Sequence, residues 1–228
     1  CEYLGFLVGP GTLSPLQAKV QAIKELPTPK TKRDLRSCLG LANYYRAFQR
    51  STAGGSEPCY AEMAAPLNAL LKKEVHDVGK AWGPQHDQAF DALKTAICTP
   101  GRVLRPIPDP PVLLELHTDW SSYGCGAIIA SKGPENQEYV HVAISRSLNE
   151  AERKMPSFFG ECLSVTWALR TCRVHLLGRE FTIITDHQPL KWLMTSKTLT
   201  GAHLRWACSV QEFVPWFSIQ HRAGAVHS

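Results

Sequence analysis

The chain has 228 residues, 44% of them hydrophobic and 20% charged, which is enough to bury a substantial core and predicts more than one unit. No segment approaches the roughly 18 consecutive apolar residues of a membrane-spanning helix, so we expect no membrane span. Cys1 is not followed by the basic and apolar regions of a signal peptide, and we expect the chain to be a piece of a longer protein.

The net charge of +5 is unevenly distributed. Residues 19–50 carry eight Lys and Arg against two acids, whereas residues 110–228 carry eleven basic against ten acidic groups. A basic segment followed by a nearly neutral one is typical of a protein in which a polyanion-binding element is joined to a second module. Lys32, Arg33 and Arg36 are the candidate contacts, and a solvated helix face with no ligand is an equally good interpretation of the charge alone.

The eight cysteines are scattered and contain no C-x-x-C pair, so neither a zinc site nor a disulfide framework is indicated. We predict reduced cysteines that serve as small hydrophobic side chains. The nine histidines are equally dispersed, and we assign none of them to a metal.

The first part of the chain is predicted to be mainly helical. A strand over residues 2–11 ends at glycine and proline, and a helix then begins with Ser14 as its cap and Pro15 in the first turn. Thr31 and Asp34 form a capping-box pattern that opens a second, basic helix. After a Gly/Ser/Ala/Pro-rich loop, helical patterns return in "PLNALLKK" and "WGPQHDQAFDALKTAI", and prolines mark a boundary near residue 110.

Beyond that boundary the hydrophobic period changes from helical to alternating. "VLLELHTD", "YGCGAIIAS" and "EYVHVAIS" predict three antiparallel strands joined by short turns. A helix from about Phe158 to Cys172 follows, then the strand "REFTIITD", helices at "QPLKWLM" and "GAHLRWACSVQEF", and a last strand "WFSIQHR". This order predicts an α/β fold with a mixed sheet covered by helices.

Three acids of this second region occupy unusual places. Asp119 ends the first strand, Asp186 ends the fourth, and Glu161 lies in the first turns of the helix between them. At 100° per residue, Glu161 falls only about 20° outside the apolar stripe of that helix, so we expect its carboxylate to point toward the sheet. Each acid also has an ordinary interpretation, because Asp commonly forms turns or helix N-caps and a Glu in a first turn complements the helix dipole.

The three acids together indicate a metal site more strongly than any one of them does. Converging carboxylates repel one another unless protons or cations neutralise them, and sites made only of oxygen suit Mg²⁺ or Mn²⁺. Two such ions about 4 Å apart can activate water for an in-line displacement at phosphorus.

The order of "HTDWSSYGCGAIIAS", "AISRSLNEAERKMPSFFGECLSVTWALR" and "HLLGREFTIITDHQPLKWLM" resembles the ribonuclease H domain of gypsy-type long-terminal-repeat retrotransposon reverse transcriptases. Upstream, "EYLGFLV", "LPTPKTKRDLRSCLGLANYYRAF" and "APLNALLKK" are similar to the end of the palm, the thumb and the connection of the same enzymes. The resemblance implies the end of the palm and a helical thumb over residues 1–50, a connection over 51–109 and a ribonuclease H-like domain over 110–228.

The same resemblance implies a function and a set of site residues. Asp119, Glu161 and Asp186 would bind two magnesium (or manganese) ions, Gln188 would contact the substrate, and the reaction would be endonucleolytic hydrolysis of the RNA strand of an RNA–DNA hybrid. A fourth metal-binding aspartate is expected a few residues beyond Ser228, and without it we expect the second ion to be held less well.

Partners and location follow from the same resemblance. The parent Pol polyprotein would add palm and fingers, with RNA-directed DNA polymerase activity, and an integrase. This chain has no Asp-Asp pair, so we expect it not to copy nucleic acid by itself. We expect the protein in cytoplasmic virus-like particles. A copy adopted by the host could instead be located in the nucleus. The alternative function is an inactive relic or host-adopted protein that binds nucleic acid or acts structurally.

Overall fold

The computed structural model describes residues 1–49, 58–99, 102–108, 112–185, 189–196 and 198–221. By its internal contacts the chain divides into two compact units, of which the first takes the described residues up to Pro106 and the second those from Ile107 onward. Each unit has its own buried hydrophobic core.

The first unit combines a small antiparallel sheet, in the order β1-β2-β3, with a group of helices. Its elements are β1 (Glu2–Tyr3), β2 (Phe6–Gly9), β3 (Thr12–Pro15), α1 (Gln17–Lys24), α2 (Lys32–Tyr44), a 3₁₀ turn (Arg46–Phe48), α3 (Tyr60–Ala69), α4 (Val78–Ala81) and α5 (Pro84–Cys98). Apolar side chains of α2, α3 and α5 form one core, to which Leu35, Leu67 and Phe90 contribute.

The prediction of a single N-terminal strand followed by a helix capped at Ser14 was wrong. Gly11 has a φ of 64°, a left-handed conformation that glycine adopts without strain, and it turns the chain back on itself. As a result, β3 pairs with β2 as far as Pro15, and α1 begins only at Gln17, with Leu16 as the N-cap. The backbone groups of residues 12–15 are therefore used by a sheet, which the local capping pattern does not reveal.

The predicted start of α2 is confirmed. The Thr31 side chain accepts a hydrogen bond from the backbone N–H of Asp34 at 3.2 Å, and the Asp34 carboxylate accepts one from the backbone N–H of Thr31 at 3.1 Å. This reciprocal capping, with the Thr31 hydroxyl as the main cause, holds the pKa of Asp34 below its ordinary value.

The second unit contains a five-stranded mixed sheet in the order β6-β5-β4-β7-β8. Its elements are β4 (Leu114–Trp120), β5 (Gly124–Lys132), β6 (Glu138–Ser147), α6 (Glu150–Arg153), α7 (Ser157–Thr171), α8 (Arg173–Leu176), β7 (Phe181–Thr185), α9 (Pro189–Thr195), α10 (Gly201–Gln211) and β8 (Phe217–His221). The predicted meander of β4, β5 and β6 is confirmed, and β7 and β8 run parallel to β4.

Helix α7 covers one face of this sheet. Val165 and Leu169 of α7 are fully buried against Leu116 of β4, Ile129 of β5 and Ile183 of β7. Burying such side chains contributes about 1.5–3 kcal/mol each, so α7 is held rigidly over the central strands. The predicted α/β fold, a mixed sheet covered by helices, is confirmed.

An ion pair ties β6 to the segment that leads into α7. Both guanidinium nitrogens Nη1 and Nη2 of Arg146 donate to the Glu152 carboxylate, at 2.8 and 2.9 Å. The same guanidinium lies 5.7 Å from the ring centre of Trp167 in α7. Asn149 caps α6 in a reciprocal box with Glu152, so Glu152 serves both contacts. The hydrogen bonds from Arg146 are the main cause that lowers the pKa of Glu152.

Replacing Glu152 should weaken the second unit in a pH-dependent way. Because the folded pKa of Glu152 lies below its ordinary value of 4.5, its stabilisation is present above that pH and is lost as pH falls through the folded pKa. Glu152→Gln should lower the free energy of unfolding by about 1–2 kcal/mol at pH 7, after discounting for partial exposure. The difference from the parent should shrink in acid, as measured by thermal unfolding at several pH values. Glu150→Gln, an exposed change in the same helix, should have little effect at any pH.

All eight cysteines are free, as the sequence predicts, and four of them are buried. Burial raises the pKa of the Cys172 thiol to about 12, which keeps it protonated and apolar in character. Within the described residues, no helix is both long enough and apolar enough to cross a bilayer.

Candidate metal and active site

The candidate site lies where β4 and β7 end. These strands are parallel neighbours, with His117 of β4 beside Ile184 of β7, so their carboxyl ends open on the same edge of the sheet. Asp119 lies at this edge, near the end of β4, and its residue is exposed to solvent. Asp186 is the next residue in the chain after β7, and both Asp186 and Gln188 lie outside the described residues.

Helix α7 is anchored directly to the end of β4. The Ser164 hydroxyl, which is fully buried, donates a hydrogen bond to the backbone carbonyl oxygen of Asp119 at 2.9 Å. Glu161 precedes Ser164 by three residues, or about one helical turn, and therefore lies on the same side of α7. The fold thus brings the elements that carry Asp119 and Glu161 together.

The predicted inward orientation of Glu161 is confirmed. Its residue is only 4% exposed, although most glutamates on protein helices lie in solvent. The neighbouring Cys162 thiol has a pKa raised to about 12, mainly by burial and also by the negative charge of Glu161. A carboxylate in such surroundings is costly to keep ionised unless a cation or hydrogen-bond donors compensate it.

The donor chemistry fits a hard divalent cation. An exposed Asp119 carboxylate and a buried Glu161 carboxylate offer oxygen ligands from the water side and the protein side of one sheet edge. Among the described residues, no group of three His, Cys, Asp or Glu side chains is arranged to hold a metal. The set of three acids named from the sequence therefore depends on Asp186, which is outside that part of the chain.

A cluster of rings holds α9 beside the start of α7. The Trp192 ring of α9 lies 5.3 Å from that of Phe158 and 6.0 Å from that of Phe159, both in the first turn of α7. His203 of α10 stacks on Phe159 with a centre-to-centre distance of 4.5 Å. Because α9 begins three residues after Asp186, this cluster anchors the element that follows the end of β7.

The basic candidates belong to the first unit and lie in the first turns of α2. Arg33 and Arg36 are exposed and available to a ligand. Lys32 is half-buried, and its ammonium donates a hydrogen bond to the backbone carbonyl oxygen of Lys72 at 2.6 Å, so part of its role is structural.

Three residues that matter to the site were not anticipated from the sequence. Ser164 makes a hydrogen bond from α7 to the backbone of Asp119, and Gly160 and Trp120 meet at the same junction. A serine inside an apolar helical stripe and a glycine in a helix interior are the sequence signals that mark such positions.

Residues 109–213 match the sequence profile of a family described as an RNase H-like domain found in reverse transcriptase. These residues are a reverse-transcriptase RNase H-like domain. Both carboxylates described above, Asp119 and Glu161, lie within the RNase H-like domain.

The whole chain is homologous to part of retrotransposon Pol polyproteins. It is 35% identical over 229 residues to the Retrovirus-related Pol polyprotein from transposon 297 of Drosophila melanogaster, covering 100% of the chain and 20% of that protein. The corresponding polyprotein from transposon gypsy of the same organism is 31% identical over 220 residues, with 92% of the chain and 20% of that protein covered. The chain thus spans about a fifth of the length of these relatives.

Solved structures share the fold. A foamy viral protease-reverse transcriptase in complex with an RNA/DNA hybrid matches with a TM-score of 0.71 and 19% identity, over 99% of this chain and 29% of that one. A complex of the foamy viral enzyme with double-stranded DNA matches with a TM-score of 0.74 and 17% identity, over 100% and 46% of the respective chains. At these identities the likeness concerns the fold, and it confirms the ribonuclease H-like architecture.

Proposed function

We propose that the second unit hydrolyses the RNA strand of RNA–DNA hybrids with the help of two divalent ions, as the ribonuclease H part of a retrotransposon reverse transcriptase. The observation that carries this proposal is the junction of α7 with β4. There the Ser164–Asp119 hydrogen bond brings the helix turn of the buried Glu161 to the strand end of Asp119.

Asp119, Glu161 and Asp186 would hold the ions, which, when bound, activate a water molecule and stabilise the leaving oxygen. Glu161 is buried on a packed helix, so its contribution would need little reorganisation. The exposed Asp119 leaves the outer side of the site open to a nucleic-acid backbone. Gln188 is the proposed contact to the substrate, and the recognised features would be the A-form shape and the 2′-hydroxyl.

Incubating the chain with a labelled hybrid and Mg²⁺ tests this function. We expect the RNA strand, but neither the DNA strand nor a DNA duplex, to be cut. A second protein, extended past Ser228 along the parent sequence, should cut at least as fast if a further aspartate follows. If both proteins bind the hybrid and neither cuts it, the chain is instead a nucleic-acid-binding relic.

We also propose that α2 contributes to binding through phosphate contacts. Arg33→Gln combined with Arg36→Gln should weaken hybrid binding and reduce the slope of log K against log salt concentration by about 1–2, since each lost phosphate contact removes up to about 0.9. Fluorescence anisotropy over a salt series measures both quantities. Lys73→Gln with Lys80→Gln removes the same charge from exposed positions elsewhere in the first unit and should change the slope much less. Equal effects of the two pairs would mean that α2 is not a specific contact.

A further inference from the structure

The ring of Trp120, the residue after Asp119, is wedged against the backbone of Gly160, the residue before Glu161. A Cβ added at Gly160 would overlap the ring atoms Cε2 and Cδ2 and would lie 2.6 Å from the indole Nε1. Ordinary contacts of a Cβ are 3.4–4 Å, so only glycine lets α7 approach the ring this closely. The strand end and the helix are thus in direct contact at the residues next to both carboxylates.

Two residues close to Glu161 in α7 contact consecutive residues of β4. The backbone of Gly160, the residue before Glu161, packs against the ring of Trp120. The Ser164 hydroxyl, three residues after Glu161, donates a hydrogen bond to the carbonyl oxygen of Asp119 at 2.9 Å. Two contacts about one turn apart along a helix fix both its distance from the strand and its rotation about its own axis. These contacts, together with the hydrophobic core, therefore constrain how closely the backbones that carry Asp119 and Glu161 approach each other.

Among the described residues, the Trp120 ring is held by packing and not by hydrogen bonding. Its indole Nε1 is buried and has no hydrogen-bond partner among the described residues. Burying a polar N–H costs free energy, and the close approach of the ring to Gly160 shows that it packs against α7. A ring packed between a strand end and a helix can set the distance between them, which suits a site whose ligands come from both elements.

We propose that Trp120 and Gly160 form a positioning pair that sets the spacing between Asp119 and Glu161 for divalent-ion binding. The inference rests on the proposed function, because it assigns these two acids to one ion site. Neither Trp120 nor Gly160 touches the ion or the substrate in this proposal. Their role is to hold α7 at the distance from β4 at which the carboxylates of Asp119 and Glu161 can bind the same ions.

A methyl group at Gly160 must move either the ring or the helix by about 1 Å to restore ordinary contact. Displacements of this size in a catalytic constellation can cost about a hundredfold in rate. Removing the ring should relieve the clash, so the effect of the methyl group depends on Trp120. This dependence separates a spacer from two residues that merely stabilise the fold independently.

The test is a double-mutant cycle on the full chain, comparing the parent, Gly160→Ala, Trp120→Leu and the double variant. The readouts are the dissociation constant for Mn²⁺ from titration calorimetry and the melting temperature without metal. We expect Gly160→Ala to weaken Mn²⁺ binding about tenfold or more in the parent, but by less than about twofold in the Trp120→Leu background. Gly40→Ala places the same methyl group on α2, where nothing lies within 4 Å, and should leave Mn²⁺ binding unchanged.

Two results overturn the positioning role. Either Gly160→Ala lowers the melting temperature and leaves Mn²⁺ affinity unchanged, or its effect on affinity is the same in both backgrounds. Failure of the proposed function would give a different result. The parent would then bind Mn²⁺ without cutting the hybrid, and the effect of Gly160→Ala on Mn²⁺ binding would still depend on Trp120. If the parent binds no Mn²⁺ at all, the acids do not form an ion site and both proposals fall.

Discussion

Asp119→Asn and Glu161→Gln should each reduce the rate of hybrid cleavage by about a thousandfold or more. Each change removes one negative charge from the proposed ion site, and ion-assisted stabilisation of developing charge is worth several kcal/mol, at 1.36 kcal/mol per tenfold in rate. Both replacements keep the shape of the side chain, so the fold should persist. Single-turnover cleavage of a labelled hybrid in Mg²⁺ measures the loss.

Glu115→Gln is a matched control for this experiment. Glu115 lies on the same strand as Asp119, four residues earlier, and its carboxylate contacts His117 Nε2 at 2.9 Å. Its replacement also removes one negative charge from β4, but at a distance from the strand end. Cleavage should therefore stay close to that of the parent. If Asp119→Asn cuts as fast as the parent and Glu115→Gln does not, the site has been assigned to the wrong part of the strand.

Divalent ions should stabilise the second unit against unfolding, and this stabilisation should require both acids. A ligand that binds only the folded state at a hundred times its dissociation constant adds about 2.7 kcal/mol, which for a unit of this size corresponds to roughly 10 °C in melting temperature. Asp119→Asn and Glu161→Gln should each remove most of the increase. Calorimetric melting with Mg²⁺ or Mn²⁺, reversed by a chelator, measures it.

Matched ionic strength provides the control for that measurement. Sodium chloride at the same ionic strength screens surface charges but cannot satisfy a carboxylate site, so it should give only a small shift. Because the two units have separate cores, the transition that responds to the ion should be that of the unit containing β4 and α7. An equal response to sodium, or an equal response in Glu161→Gln, would contradict the ion site.

The two predictions address different steps and can be separated experimentally. Ion-dependent stabilisation concerns only whether Asp119 and Glu161 share a cation. In the proposed function, cleavage would also require the backbone of the hybrid to lie at the exposed side of Asp119. A chain that is stabilised by Mn²⁺ but does not cut would retain the site and lack productive substrate binding, which directs attention to Arg33, Arg36 and Gln188.

The local sequence pattern was sufficient for much of the RNase H-like domain. Alternation in β4 predicts a strand with one face toward the core, and the short turns between "VLLELHTD", "YGCGAIIAS" and "EYVHVAIS" predict the meander of β4, β5 and β6. The periodicity of α7 likewise predicted that Glu161 points inward, and its 4% exposure agrees. In the first unit, the same approach succeeded for α2, whose capping box is entirely local. It failed for residues 12–15, where pairing with β2 overrides a plausible helix start.

In the second unit, the sequence by itself determined the order of the main elements, the inward side of α7 and the identity of the acids that mark the candidate site. Only the tertiary structure decided how α7 meets the end of β4, through the Ser164–Asp119 hydrogen bond and the wedge of Trp120 against Gly160. The physical reason is that periodicity records which side of an element is apolar, whereas the distance between two elements depends on the side chains that touch at their crossing. Those contacts join residues about 40 positions apart in the chain, and no local pattern encodes them.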